Sequence, residues 1–152
     1  TYHGPNQIIA YPLLSLSPDS QPSKKIPAHD LHAYMRALEL SVVDVLQNYG
    51  LEVQTHSIQT QVGEVEGKEA TGVWIGDQKI AAIGIGAKAW VTSHGVALNL
   101  YKEEQAYKSF LPCGFRGEQV TSLEEQIGRK IPYEQIKEQW AETLIQRLIK
   151  RS

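Results

Sequence analysis

Two side chains of this sequence could carry covalent chemistry, and the first is its single cysteine. Cys113 lies between Pro112 and Gly114, a combination that predicts a loop. Such a loop can expose a sulfur beside backbone N–H groups, and a thiolate attacks carbonyl carbons well when a nearby cation lowers its pKa. More often, however, a free cysteine is a small buried hydrophobe. The residue and its neighbours alone leave both interpretations open.

The second side chain is a lysine at the start of an apolar stretch. Lys79 precedes Ile80, Ala81, Ala82 and Ile83. The ordinary expectation for a lysine at the end of a strand is exposure to solvent. A lysine beside such a stretch can instead lie in a dry pocket, where desolvation lowers its pKa towards neutrality. There it would serve as a general base and pair with a thiolate.

The five histidines give no metal-binding pattern. His3 and His94 are each followed by glycine, which allows close approach of a ligand, whereas His29, His32 and His56 are expected at the surface. Neither His3 nor His94 belongs to a His-x₃-His or Glu-x-x-His pair, so no zinc site is expected. The glycine-rich residues 84–88 lack the Gly-Lys-Ser/Thr ending of a phosphate loop, which argues against a nucleotide site.

Composition excludes several classes of protein. The 152 residues carry 15 Lys and Arg against 17 Asp and Glu, and a chain without basic excess is a poor ligand for nucleic acid or anionic membrane. One cysteine rules out a disulfide framework, and the longest apolar run, 80–85, is too short to span a bilayer. Because the sequence opens with Thr1 and not with Met, we expect it to be part of a longer protein.

The elements that must position these residues are predicted from periodicity and capping. Apolar residues between Asp30 and Gly50 recur at three- and four-residue steps, with Asp30 as the N-cap and Gly50 as the terminating residue. A capping box at 121–124 predicts a short helix, and 133–148 predicts a last amphipathic helix. Strands are predicted at 7–14, 72–76, 79–86, 89–91 and 96–100, with residues 92–95 as a turn. This order favours a single α+β domain over 1–152, in which helices cover one side of a mixed sheet.

Several segments, taken in order, resemble the lipoyl(octanoyl) transferases, the acyltransferases of lipoate biosynthesis. They are Thr1-Tyr2-His3-Gly4-Pro5, Gly72-Val73-Trp74-Ile75-Gly76, Lys79-Ile80-Ala81-Ala82-Ile83-Gly84, Trp90-Val91-Thr92-Ser93-His94-Gly95-Val96-Ala97-Leu98-Asn99, Pro112-Cys113-Gly114 and Val120-Thr121-Ser122-Leu123. Each motif alone is weak, but six in series are specific. The resemblance implies the fold shared by biotin and lipoate protein ligases.

The resemblance also implies roles for individual residues. Cys113 would be the nucleophile that forms an acyl thioester, and Lys79 its paired base. The substrate-binding residues would be Thr1, Tyr2, His3, Ala82, Ile83, Gly84, His94, Gly95, Val96 and Ala97. No cofactor or metal is implied, because transfer from thioester to thioester to amide needs no ATP.

The implied donor is octanoyl-acyl carrier protein, and the acceptor is a lysine on lipoyl domains of 2-oxoacid dehydrogenases or the glycine cleavage protein. The implied protein is a monomer of the cytoplasm or, alternatively, of the mitochondrial matrix, and it binds neither nucleic acid nor membrane. Two other functions stay open: a non-catalytic module that binds carrier proteins or lipoyl domains, and an ATP-using ligase. Intact Cys113 and Lys79 argue against the first.

The sequence departs from the family pattern in three places. An Arg-Gly-Gly stretch expected just before Thr1 is absent, so either another chain supplies that wall of the pocket or the sequence is partial. Asn6 stands where the family has glycine, which Asn can replace because it tolerates left-handed geometry. Residues 51–69 form a longer segment than usual, to which we assign no role.

Overall fold

A computed structural model of the chain describes residues 6–19, 25–55, 72–102 and 120–149. The predictions for Thr1, Tyr2, His3 and Cys113 fall outside these ranges, as does most of the segment 51–69.

Four strands of the described residues form one sheet. Their order across the sheet is β1-β4-β3-β2, and each neighbouring pair is antiparallel. A single parallel bridge, between Lys79 and Val120, makes the sheet mixed at that point. The strands are β1 (Gln7–Ala10), β2 (Gly72–Ile75), β3 (Gln78–Lys88) and β4 (Val91–Asn99).

The turn between β2 and β3 lies where the sequence predicts it. Ile75 pairs with Gln78, which leaves Gly76 and Asp77 as a two-residue loop. Gly76 has φ +60°, and glycine at the first position of such a loop is typical of a type II′ turn, whose twist matches that of the strands.

The turn between β3 and β4 lies elsewhere than predicted. Ala89 and Trp90 make it, with φ of +51° and +62°, and β4 then runs without interruption from Val91 to Asn99. The predicted turn at 92–95 and the separate strand at 89–91 were therefore wrong, whereas the predicted strand 96–100 is the second half of β4, which ends at Asn99. Non-glycine residues seldom adopt positive φ, so the turn carries no ordinary sequence signal, whereas Gly95 inside the strand suggested one.

The first strand is shorter than predicted, and the chain beyond it makes a looser connection. β1 ends at Ala10 because Pro12 has no N–H to donate to a ladder. Pairing resumes further on: Thr92 N donates to Leu14 O at 2.9 Å, and Leu16 N donates to Trp90 O at 2.7 Å.

The long helix α1 (Leu31–Gln47) has the predicted boundaries. The Asp30 carboxylate accepts a hydrogen bond from Ala33 N at 2.8 Å, which satisfies one of the free N–H groups at the helix start. After the helix, Gly50 has φ +78°, and Leu51 N donates back to Leu46 O at 3.3 Å. Gly50 therefore reverses the chain as its position predicts.

Two further helices follow the sheet. In α2 (Leu123–Ile127), the N-cap is Ser122, which accepts from Glu125 N at 3.3 Å, so the capping box is shifted by one residue from the predicted 121–124. The last helix, α3 (Tyr133–Leu148), has the predicted bounds. No helix in the described part of the chain is long and apolar enough to cross a membrane.

The core lies between one face of the sheet and α1, and α3 packs against α1. Trp140 is buried on α3, and its indole Nε1 donates to Ser41 Oγ of α1 at 3.0 Å. Arg147 of α3 also joins the two helices, because its guanidinium donates two hydrogen bonds to the Asp44 carboxylate of α1, at 2.7 and 2.9 Å. From the sheet, the core takes buried side chains of all four strands: Ile8, Val73, Ile80, Ala81, Ile83, Val96 and Leu98.

Candidate active site

The face of the sheet turned away from α1 carries small residues, and we call it the second face. Directly opposed residues of antiparallel strands share a face, so one row across the sheet reads Ile9, Ala97, Ala82 and Gly72. The next row, about 7 Å along the strands, pairs Gly84 with Gly95. The backbone of the second face is thus nearly bare over two rows of β3 and β4.

A β-bulge brings Lys79 onto the same face. Between β2 and β3 the register shifts after Val73: Val73 pairs with Ala81, but Trp74 pairs with Lys79. Ile80 is the extra residue, and its side chain is buried in the core. Side chains three residues apart on a regular strand lie on opposite faces. The bulge interrupts this alternation, so the side chains of Lys79 and Ala82 lie on the same second face.

The Lys79 side chain lies flat against β2 instead of extending into solvent. It is 7% exposed, and its Nζ lies 5.6 Å from the centre of the Trp74 ring, within the range of a cation–π interaction. A β-carbon placed on Gly72 would be 2.6 Å from Lys79 Cε and 3.4 Å from Nζ. The amine therefore lies beside Gly72, at one end of the row formed with Ala82 and Ala97.

This position decides what the amine can do. A lysine withdrawn from water interacts more strongly with a neighbouring charge than an exposed lysine does, because the effective dielectric constant is lower. A thiol beside it would be held as the thiolate, which is the reactive form. Of the two alternatives for Lys79, the structure excludes the solvent-exposed strand end.

The backbone of Lys79 is fixed from the other side by residues 120–122. β4 ends at Asn99, and the segment at Val120 takes the adjacent position: Thr121 N donates to Lys79 O at 2.9 Å. Asn99 Nδ2 donates to Thr121 O at 3.0 Å. This segment therefore begins its contact with Lys79 seven residues after Cys113 in the sequence.

Two of the predicted substrate-binding residues have their side chains on the opposite face. Ile83 and Val96 are 7% and 1% exposed and belong to the core. Since their side chains point towards the helices, only their backbone groups face the site. The sequence could not separate these residues from their neighbours, because residues 80–85 are all apolar or glycine and show no alternation of polar and apolar positions.

The structural reason for a glycine at position 95 differs from the predicted turn and substrate contact. A β-carbon there would lie 2.0 Å from the Ala10 carbonyl oxygen and 3.2 Å from Pro12 Cδ. A side chain at position 95 is therefore excluded, because the end of β1 and the residues after it pass directly over Gly95 and fill that space. By contrast, a β-carbon at Gly84 would have no atom within 4 Å among the residues that the structure describes.

His94 lies within β4 and not in the predicted turn. It is exposed, has φ +61°, and its ring meets Tyr11 edge-on with 6.4 Å between the centroids. A positive φ in a non-glycine strand residue is a strained conformation. The structure thus places His94 at the end of the sheet remote from Lys79, since it pairs with Ile85 of β3.

Sequence reasoning assigned no role to Gly72 and Trp74, although both stood in a motif. The signal that could have identified them is the pairing of a glycine and a large aromatic residue on the strand that faces the lysine. Strand pairing alone would not have been enough, because the bulge that sets Lys79 opposite Trp74 has no sequence signature of its own.

Comparison with known proteins agrees with this fold. The family described as "Lipoyl protein ligase A/B catalytic domain" matches residues 1–145. The chain belongs to this family. Among curated relatives, the octanoyltransferase of Bdellovibrio bacteriovorus is 36% identical over 147 residues, which are 96% of this chain and 66% of the relative. The octanoyltransferase of Synechococcus sp. (strain CC9902) is 43% identical over 123 residues, 81% of this chain and 45% of the relative.

Solved structures show the same architecture at low sequence identity. Lipoate-protein ligase A bound with ATP superposes with a TM-score of 0.59 at 13% identity, over 78% of this chain and 46% of that one. Biotin protein ligase from Aquifex aeolicus gives 0.55 at 14% identity, over 77% and 45%. The predicted α+β fold of biotin and lipoate protein ligases is thereby confirmed. The chain spans between 45% and two thirds of the length of the curated relatives named here.

Proposed function

We propose that this lipoyl protein ligase A/B catalytic domain transfers an octanoyl group from octanoyl-acyl carrier protein to a lysine of a lipoyl domain, through a thioester on Cys113. The observation that carries the proposal is the buried Lys79 amine at the end of a row of small residues on the second face. The proposed transfer needs an amine next to an apolar slot, and a buried Lys79 beside a row of small residues supports that arrangement. The relatives named octanoyltransferase support octanoyl as the acyl group in this proposal.

In the first step, Cys113 takes the acyl group. Its thiolate attacks the thioester carbonyl of the donor, a new C–S bond forms, and the bond to the carrier sulfur breaks. The carrier thiolate leaves and takes a proton from the Lys79 ammonium, so that Lys79 becomes a neutral amine. One thioester replaces another, and no energy source is required.

In the second step, the acceptor lysine takes the acyl group. Its neutral amine attacks the Cys113 thioester, a C–N bond forms, and Cys113 leaves as a thiolate. The proton lost by the nitrogen passes to the Lys79 amine, which restores the ammonium and the starting ion pair. Forming an amide from a thioester is downhill, so this step drives the reaction.

The acyl chain would lie along β3 and β4 over the second face. Ala82 and Ala97 supply a floor without bulk, and Gly84 leaves open space in the next row. Each methylene removed from water there contributes about 0.8 kcal/mol, so burial selects for chain length. The remaining predicted contacts, from Thr1, Tyr2, His3, His94 and the backbones at Ile83, Gly95 and Val96, belong to the same proposal.

The acceptors we propose are lipoyl domains of 2-oxoacid dehydrogenases and of the glycine cleavage protein, and we propose that the enzyme acts as a monomer. The bacterial sources of the relatives favour the cytoplasm over the mitochondrial matrix as its compartment.

Intact-mass measurement tests the mechanism. The protein is incubated with octanoyl-acyl carrier protein, and we expect a gain of one octanoyl group that is absent in Cys113→Ser. Lys88→Met, which removes an exposed lysine at the far end of β3, is the matched control and should leave the adduct intact. A folded protein without adduct would identify a binding module. An adenylate that forms only with ATP would identify a ligase.

A further inference from the structure

We propose that Gly72 is a positioning residue: its missing β-carbon creates the groove on β2 in which the Lys79 amine lies. This inference deepens the proposed function, because it explains how the lysine assigned there as the proton carrier is held. It concerns a residue that touches neither substrate nor reacting atoms in the proposal.

The backbone conformation at this position does not require glycine, but two neighbours occupy the space of its missing side chain: the Ala81 carbonyl oxygen and the Lys79 side chain. Gly72 opens β2 in an extended conformation, and its φ is not among the positive values of the chain. Glycine inside a strand weakens it by about 0.5–1 kcal/mol relative to alanine, so a glycine here needs another reason. Gly76, at the other end of the same strand, has such a reason in its φ of +60°, and a β-carbon there would meet nothing.

Two groups approach Gly72, the Ala81 carbonyl oxygen and the Lys79 side chain, and only the second bears on the position of the amine. A β-carbon would lie 2.6 Å from Lys79 Cε, closer than carbon atoms can pack, and 3.4 Å from Nζ. Lys79 starts opposite Trp74, while Gly72 is two residues further along β2 and opposite Ala82. The lysine therefore runs along the sheet from Trp74 to Gly72, and the glycine lets its last two atoms reach the row of Ala82 and Ala97.

A methyl group at position 72 would move the amine. The lysine side chain would have to rotate out of the groove, away from the Trp74 ring and from the slot. The same methyl group would also lie 2.5 Å from the Ala81 carbonyl oxygen, which is a contact with the backbone and independent of the lysine. A convincing test must therefore separate the effect on Lys79 from the effect on the hairpin.

Competitive labelling of amines reads the lysine position directly. Trace acetylation of the intact protein, followed by peptide mass spectrometry, gives the labelling of Lys79 relative to the exposed Lys88. In Gly72→Ala we expect Lys79 labelling to rise several-fold towards that of Lys88. Gly84→Ala is the matched control, since its β-carbon enters open space on the same face, and it should leave Lys79 labelling unchanged.

A double-mutant cycle separates the two contacts and works on stability even where Gly72→Ala folds poorly. Urea unfolding is measured for Gly72→Ala in the native and the Lys79→Ala backgrounds. If the lysine fills the groove, the loss of stability in the Lys79→Ala background is clearly smaller. Equal losses in both backgrounds, together with unchanged Lys79 labelling, would overturn the inference.

Thiol alkylation distinguishes failure of this inference from failure of the proposed function. If Lys79→Met slows alkylation of Cys113 but Gly72→Ala leaves both alkylation and Lys79 labelling unchanged, the lysine–cysteine pair stands and the role of Gly72 is wrong. If Lys79→Met leaves alkylation unchanged while Gly72→Ala exposes Lys79, Gly72 does position the lysine and the proposed pairing is wrong.

Discussion

The space above Gly84 gives the sharpest prediction for the acyl slot. A β-carbon at this position would have no atom of the described residues within 4 Å, and its φ is not positive, so we expect the described part of the chain to accommodate a valine. Its three carbons would occupy the volume that we assign to the acyl chain. Displacing about two methylenes costs about 1.6 kcal/mol at 0.8 kcal/mol each, which lowers kcat/KM for the octanoyl donor about 15-fold.

The same substitution should not harm folding. Valine favours strands and glycine weakens them, so we expect Gly84→Val to leave the stability unchanged or to raise it by up to about 1 kcal/mol. Loss of activity without loss of stability would then report on the slot and not on the fold. Ala87→Val, on the same strand but on an exposed position beyond the slot, is the matched control.

The assay compares donors of different length. Transfer to a purified lipoyl domain is followed by intact mass with octanoyl-, hexanoyl- and butanoyl-acyl carrier protein. We expect Gly84→Val to shift the preference towards the shorter donors, because they end before the new side chain. An unchanged ratio of octanoyl to hexanoyl transfer in a folded variant would refute the placement of the acyl chain on the second face.

Three further predictions concern the base, the core and the pH dependence. Lys79→Met should slow alkylation of Cys113 near pH 7 by about tenfold, the effect of raising a thiol pKa by one unit. Ser41→Ala should lower the free energy of unfolding in urea by about 1–3 kcal/mol, since the buried Trp140 indole N–H loses its acceptor. Burial raises the pKa of Tyr34 above its ordinary 10.0 in the folded protein. The contribution of the neutral Tyr34 side chain to the free energy of unfolding should therefore be complete below pH 10 and should decrease as the pH rises towards the pKa of the folded state.

Each of these has a control. Alkylation in Lys88→Met should match the native rate, and an equal slowing there would show a general charge effect. For the core, Ser15→Ala removes a half-buried hydroxyl that accepts a local hydrogen bond from Ser17 N at 3.3 Å, and it should cost much less than Ser41→Ala. For the pH dependence, stability of Tyr34→Phe is compared with that of the native protein between pH 9 and 11. A constant difference over that range would contradict the assignment.

The helices could be predicted because their signals are local. Asp30 as a cap, the apolar period of α1 and the reversal at Gly50 all lie within one segment, and no tertiary contact overrides them. The capping box was displaced by one residue because both Thr121 and Ser122 can act as caps. The backbone N–H of Thr121 bonds to Lys79 O, which fixes Thr121 in the sheet and leaves Ser122 to cap the helix.

The errors in the strands come from positions where the local signal and the tertiary reason differ. Glycine at 95 suggested a turn, but it is there because the Ala10 carbonyl passes over it. The real turn, at Ala89 and Trp90, is imposed on residues that resist positive φ, and His29 stacks on Trp90 with 4.4 Å between the ring centroids. These two contacts join residues 85 and 61 positions apart in the sequence, which no local pattern reveals.

The candidate site could be predicted only in part, because some of its features are local in sequence and others depend on strand pairing. The apolar stretch after Lys79 correctly suggested a buried amine, because it is a local property. Which of its residues share a face with the lysine depends on the bulge opposite Val73 and Trp74, and the bulge arises from pairing with another strand. The residues of the stretch could therefore be named from sequence, but not divided between the core and the second face.

Three of the glycines on the second face differ in what lies where a side chain would be, and this difference bears on the proposed slot. At Gly95 the missing side chain is replaced by the protein's own backbone, and at Gly72 by the lysine that we assign to the chemistry. At Gly84 no atom of the residues that the structure describes takes the place. Since glycine in a strand weakens it, a position that no described residue fills is a candidate contact for a ligand. The acyl group of the proposed reaction would fill it, and the proposed slot would then extend from the Lys79 amine along β3 to Gly84.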